Sequence, residues 1–119
     1  MKGERSVIDL IDSAESIFMT PIVMGELYYG FLKGNRQTEN TQKLEAFVAK
    51  SQVIICDVKK EVSNIYAELR LAQQISGLSL AANDLWIAAT AIYLDARLAT
   101  FDKDFLRIEH KGFQVVCLS

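Results

Sequence analysis

Apolar positions along this chain alternate between two rhythms. Val7, Ile8, Leu10, Ile11 and Ala14 recur at three- and four-residue steps, which predicts a helix from about Glu4 to Ala14. Ser16 to Met19 is a short apolar run of strand length. Thr20-Pro21 then reads as an N-cap followed by proline at the first helical position. That helix runs to about Lys33, where Gly34 ends it. Thr38 to Lys50 forms another helix, with Leu44, Phe47 and Val48 on one side. Val53 to Cys56 reads as a strand. Asp57 is expected to cap a long helix that stops near Ser76-Gly77, its apolar positions Val62, Ile65, Leu69, Ala72 and Ile75 stepping by three or four residues. Asn83 is expected to cap a helix reaching about Asp95. Leu98 to Phe101 is a strand, Lys103 to Ile108 a helical turn, and Phe113 to Leu118 a last strand.

Short apolar strands between helices imply an α/β fold, a parallel sheet covered on both faces. Such sheets place their sites beyond the carboxyl ends of the strands. Without a repeat, a low-complexity tract or a Pro/Gly-rich linker, residues 1–119 are expected to form a single domain.

Three acids interrupt apolar surroundings at those ends: Glu26, Asp84 and Asp102. Asp84 shares a helical stripe with Ile87, Ala88, Ala91 and Ile92, and Glu26 has Ile22, Val23, Tyr29 and Gly30 as its three- and four-residue neighbours. Both are therefore expected to face inward, where an uncompensated carboxylate is costly. Mg²⁺ or Mn²⁺, hard cations that prefer oxygen ligands, would relieve the repulsion. Such an ion can activate water for attack on a phosphodiester. Glu26, Asp84 and Asp102 are thus the expected catalytic metal ligands, direct or through water. Thr100 and Asn83 are expected to orient them, with Asp104 positioning the loop or a water. Lys33, Arg36, Lys103 and Arg107 are candidates for contacting phosphates.

Taken one at a time, Asp84 also fits an ordinary helix-start residue and Asp102 an ordinary turn residue. Asp9, Asp12, Glu45, Glu61 and Glu68 read as solvated helix faces, and His110 as an exposed turn residue. Trp86, Tyr28 and Tyr29 read as core or interface aromatics rather than base-stacking groups. With a single histidine, a zinc site is not expected.

Composition narrows this only a little. Hydrophobic residues make up 50% and charged ones 24%, which is globular rather than disordered. The net charge of −2 provides no global basic field, though a local one is compatible with it. Cys56 and Cys117 sit in apolar runs and read as reduced, buried strand cysteines. No apolar run approaches the ~20 residues of a membrane span. A soluble, cytoplasmic protein is the expectation.

Three segments together resemble the PIN-domain ribonucleases, specifically the VapC-type toxins of bacterial toxin–antitoxin pairs. They are Thr20-Pro21-Ile22-Val23-Met24-Gly25-Glu26-Leu27-Tyr28-Tyr29-Gly30, Ala82-Asn83-Asp84-Leu85-Trp86-Ile87-Ala88-Ala89-Thr90-Ala91, and Leu98-Ala99-Thr100-Phe101-Asp102-Lys103-Asp104-Phe105. They look like the family's second, third and last acidic motifs. The resemblance implies a three-layer fold with a short parallel sheet flanked by helices. It also implies Mg²⁺- or Mn²⁺-dependent endonucleolytic cleavage of RNA, a homodimer, and a cognate antitoxin protein whose peptide lies in the active-site groove. The family usually opens with a central strand ending in an aspartate, and neither Glu4 nor Asp9 stands at the end of such a strand. The expectation is a PIN-like domain that is N-terminally truncated, the neighbours of that strand facing a gap. Two other functions stay open: an inactive PIN domain that only dimerises or binds antitoxin, and a phospho-acceptor domain of the flavodoxin-like type.

Overall fold

The computed structural model describes residues 2–118. In chain order the elements are α1 (Lys2–Ser13), β1 (Ile17–Met19), α2 (Pro21–Lys33), α3 (Gln37–Val48), β2 (Val53–Ile55), α4 (Lys60–Ser76), α5 (Ala82–Tyr93), β3 (Arg97–Thr100), a 3-10 turn (Lys103–Arg107) and β4 (Gln114–Cys117). The α/β alternation is the expected one. The strands are parallel, as expected, and form two pairs, β1 with β2 and β3 with β4. The chain clusters into two compact units, Asp9–Asp57 and Met1–Ile8 with Val58–Ser119.

In the unit Asp9–Asp57, Ile17 lies opposite Val53, Phe18 opposite Ile54 and Met19 opposite Ile55. Ile17 donates its N–H to the Gln52 carbonyl at 2.8 Å, and Cys56 to that of Met19 at 2.9 Å. Thr20 caps α2 as its sequence predicts. Its backbone is extended and its hydroxyl accepts the Val23 N–H at 3.2 Å, while Pro21 has no N–H to satisfy. Gly34 closes the helix by donating to the Phe31 carbonyl at 3.2 Å. α2 packs on α3, where Leu44 is buried. The Tyr28 hydroxyl donates to Glu45 Oε1 at 3.1 Å.

In the other unit, α4 and α5 pack along Val62, Leu69, Leu85, Ala88 and Ala89, and Ile65, Leu80, Ile92, Ile108 and Phe113 close around them. Alanine at 88 and 89 lets the helix backbones approach. Gly77 ends α4 with φ of 76°, the left-handed conformation that glycine adopts without a Cβ penalty. The Gln73 side chain then clamps Leu80. Its Oε1 accepts the Leu80 N–H at 3.0 Å and its Nε2 donates to the Leu80 carbonyl at 3.4 Å. β3 and β4 pair from Arg97 opposite Gln114 to Thr100 opposite Cys117.

Two local expectations fail here. Asp57 does not cap α4, because the chain stays extended through Lys59, which makes no side-chain cap bond. Asn83 lies inside α5 rather than at its cap, which is Ala81. Ile75 is 78% exposed and is no core residue. Steps of three residues fall short of a full helical turn by about 60°, so from Leu69 through Ala72 the stripe has rotated off the buried face by Ile75.

Candidate functional site

α5 and β3 are joined by residues 94–96 and pack against each other. The chain therefore runs down one and back along the other. From Asp84 to Tyr93 the helix descends ~14 Å at ~1.5 Å per residue. From Arg97 the strand climbs back ~10 Å at ~3.3 Å per residue before Thr100 ends it. The first turn of α5 and the loop after β3 thus share one end of this unit, and Asp84 and Asp102 belong to that end.

Asp84 is half-buried. Its N–H bonds the Ala81 carbonyl at 3.1 Å, and its charge stands in the first turn, where the helix dipole favours an anion. Asp102 is exposed and held by its own loop. Its N–H donates to Thr100 Oγ1 at 3.0 Å, and its Oδ1 accepts the Asp104 N–H at 2.9 Å, capping the 3-10 turn. Thr100 is in turn fixed by β4, its carbonyl accepting the Leu118 N–H at 2.7 Å. Thr100, Asp102 and Asp104 are thus tied together by two hydrogen bonds within the loop. Asp104 also faces Arg107 at 3.9 Å, an exposed pair contributing about 1 kcal/mol or less. Lys103 and Asn83 are exposed.

Glu26 departs from expectation. It is exposed, and no residue of α2 is buried. Two residues along a helix is about 200° of rotation, so Glu26 stands on the side of α2 away from Tyr28, which reaches α3. Lys33 stays with its own helix, its Nζ 4.4 Å from the Tyr29 ring centre, and Arg36 is exposed before α3. His110 is half-buried rather than exposed. Its Nδ1 accepts the Gly112 N–H at 2.9 Å and its Nε2 lies 4.0 Å from Glu68. Cys56 and Cys117 are free thiols, both half-buried.

Asp84, Asp102, Asp104 and Thr100 offer carboxylate and hydroxyl oxygens, a donor type that suits Mg²⁺ or Mn²⁺, and Cys117 lies opposite Thr100 in the strand register. Among the described residues, no three His, Cys, Asp or Glu side chains within either unit gather closely enough to hold an ion. A pocket of about 470 Å³ opens beside this end, lined by Leu69, Gln73, Gly77, Leu85, Arg107 and Glu109. It includes neither Asp84 nor Asp102, and the carboxylate chemistry lies outside it.

One cluster escaped the sequence reading. Tyr66 of α4 stacks on Trp86 of α5, ring centres 4.0 Å apart and planes at 7°. Arg70 Nη1 donates to the Tyr66 hydroxyl at 3.1 Å. Tyr66 and Trp86 are 20 positions apart, and only the packing of α4 on α5 brings them together.

A family model described as PIN domain matches residues 2–111. The ribonuclease VapC2 of Rickettsia felis is 34% identical over 102 residues, covering 85% of this chain and 75% of that protein. Among solved structures, VapBC2 of Rickettsia felis bound to promoter DNA aligns with a TM-score of 0.81 at 29% identity, covering all (100%) of this chain and 87% of the other. VapBC-1 of Haemophilus influenzae aligns with a TM-score of 0.78 at 21% identity, over 95% and 84% of the two chains, and shares the fold.

Proposed function

The chain belongs to the PIN-domain family, and on that premise we propose that it is a VapC-type endoribonuclease, the toxin of a toxin–antitoxin pair, that hydrolyses RNA phosphodiesters with a divalent metal. Identity of 34% to the VapC2 ribonuclease over most of both chains supports the activity. The observation in this chain that carries the reading is the shared end of α5 and β3, where Asp84 opens the helix and Asp102 follows the strand.

Asp84 and Asp102 would hold Mg²⁺ or Mn²⁺; Glu26 is a candidate ligand by its motif alone. The ion would supply an activated water and stabilise the charge that develops on the phosphate. The rest falls to the protein. Asp84 brings its charge on a helix start that favours an anion. Thr100 and Asp104 fix the loop that aims Asp102, so the carboxylate is oriented before substrate arrives. Asn83 would orient its neighbour Asp84. Lys33, Arg36, Lys103 and Arg107 would position RNA by its phosphates without specifying sequence.

The partners follow from the same premise. The aligned Rickettsia felis structure is a VapBC assembly, which supports a cognate antitoxin for this chain. A homodimer is proposed from the family resemblance of the three acidic motifs alone. The proposed place of action is the cytoplasm. Among the described residues, no helix is long and apolar enough to cross a membrane.

The test is cleavage of a structured RNA pool by the purified chain with Mg²⁺ or Mn²⁺, and with EDTA. Cutting that needs the metal is expected. Cutting that persists in EDTA overturns the metal reading. A folded chain that cuts under neither condition, yet co-purifies with a small partner, favours the second reading, a PIN domain reduced to binding antitoxin or dimerising.

A further inference from the structure

One side of α4 carries a polar track with an aromatic step in it. Ser63, Tyr66, Arg70 and Gln74 recur at three- and four-residue intervals, so they share a face, and Lys59 precedes Ser63 by four at the helix cap. Lys59, Ser63, Arg70 and Gln74 are exposed and Tyr66 is half-buried. The face carries two cations, two hydroxyls and an amide, and no acid. The acids of α4, Glu61 and Glu68, stand about 200–220° round the helix from Tyr66. From Ser63 to Gln74 the track extends ~17 Å. Near its middle, Tyr66 lies flat on Trp86 and its hydroxyl is held by Arg70.

We propose that this face of α4, with the Tyr66–Trp86 stack, is a binding track for single-stranded RNA. The proposal rests on the ribonuclease reading and locates substrate contacts for it. Cations and neutral donors in a row bind successive phosphates, while flat aromatic rings accept unstacked bases of any sequence. A base laid on the stack extends it by one ring. The hydrogen bond from Arg70 fixes Tyr66 and keeps a guanidinium at the rim, where a phosphate or a base edge meets it. Trp86 and Asp84 belong to the same first turns of α5, on opposite flanks of its buried stripe, so RNA held on the track lies close to the end of the unit that carries Asp84 and Asp102. The absence of acid on the face favours a polyanion over a mixed-charge protein surface as its occupant.

Trp86 is the single tryptophan of the chain, so its emission reports on this one place. The experiment titrates the full chain with a short single-stranded oligouridylate in EDTA, where metal-dependent cutting is suppressed, over a range of salt. A saturable change in Trp86 emission is expected. Arg70→Ala and Lys59→Ala should each weaken binding several-fold and lower the salt slope by about 0.7, as for a lost phosphate contact on a single strand. Arg70→Lys should recover the slope, which a merely structural role for Arg70 would not produce. An oligonucleotide that leaves the emission unchanged overturns the track, as do variants that bind with unchanged affinity and slope. Metal-dependent cleavage alongside a silent titration removes the track and leaves the nuclease. Saturable binding without cleavage does the reverse.

Discussion

Leu69 keeps 4% of its surface exposed and Val62 none, and between them they fasten α4 to α5. Leu69→Ala should destabilise this unit by about 2–5 kcal/mol, the transfer cost plus the cavity left behind. Urea unfolding followed by circular dichroism reads it, and a loss below about 1 kcal/mol would show that the site collapses around the truncation. Cys56 gives a prediction with a sign. Burial is the largest influence and lifts its thiol above the ordinary 9.0; its backbone hydrogen bond lowers it, and the charge of Asp57 raises it. The folded state thus holds the proton more tightly than the unfolded chain. The associated stability is intact below about pH 9 and is lost as pH rises past it. In a Cys117→Ser background, the pH midpoint for alkylation of Cys56 should lie above that of free cysteine; a midpoint below it contradicts the assignment. Asp102 shows what single residues disclose in sequence. Its neighbours Thr100 and Asp104 announce a self-bonded turn, and the structure has both bonds. Glu26 shows the limit, because apolar neighbours at three and four residues promise burial only if another element covers that side of α2.

Elements were legible where the signal is local. Thr20-Pro21 and Gly34 mark both ends of α2; Thr20 caps through its hydroxyl as its chemistry requires, while Gly34 closes the helix at φ −94°, a conformation open to any residue. Thr20→Ala should cost about 1 kcal/mol, with Thr20→Ser close to neutral, since the hydroxyl that receives the Val23 N–H survives in serine. Thermal unfolding of the two variants side by side checks this, and equal losses would place the effect in packing of the methyl group. The starts of α4 and α5 were not legible. Asp57 and Asn83 are good caps by type, but where a helix begins is decided by which residue the chain leaves extended, here Lys59 and Ala81. The Gln73 clamp on Leu80 that shapes the second of these joins positions seven apart and leaves no pattern in sequence. The Tyr66–Trp86 stack escapes for the same reason.

At the scale of the molecule, helix alternation and parallel strands were readable. Four short apolar runs announce the strands, but which run pairs with which depends on contacts far apart in sequence, and β1 pairs with β2 and β3 with β4. The family model nonetheless runs from residue 2 to residue 111, through both units. A net charge of −2 leaves RNA to be gathered by local groups rather than by the field of the whole protein, so binding should depend on a few named cations. The central claim is that a carboxylate at the start of α5 is needed for RNA cleavage. The measurement that meets it most directly is the cleavage rate of the full chain beside Asp84→Asn, in Mg²⁺ or Mn²⁺, with circular dichroism to verify that both are folded. Metal-dependent cutting by the parent is expected, and none above background by the folded variant. Cutting by Asp84→Asn at the parental rate would contradict it.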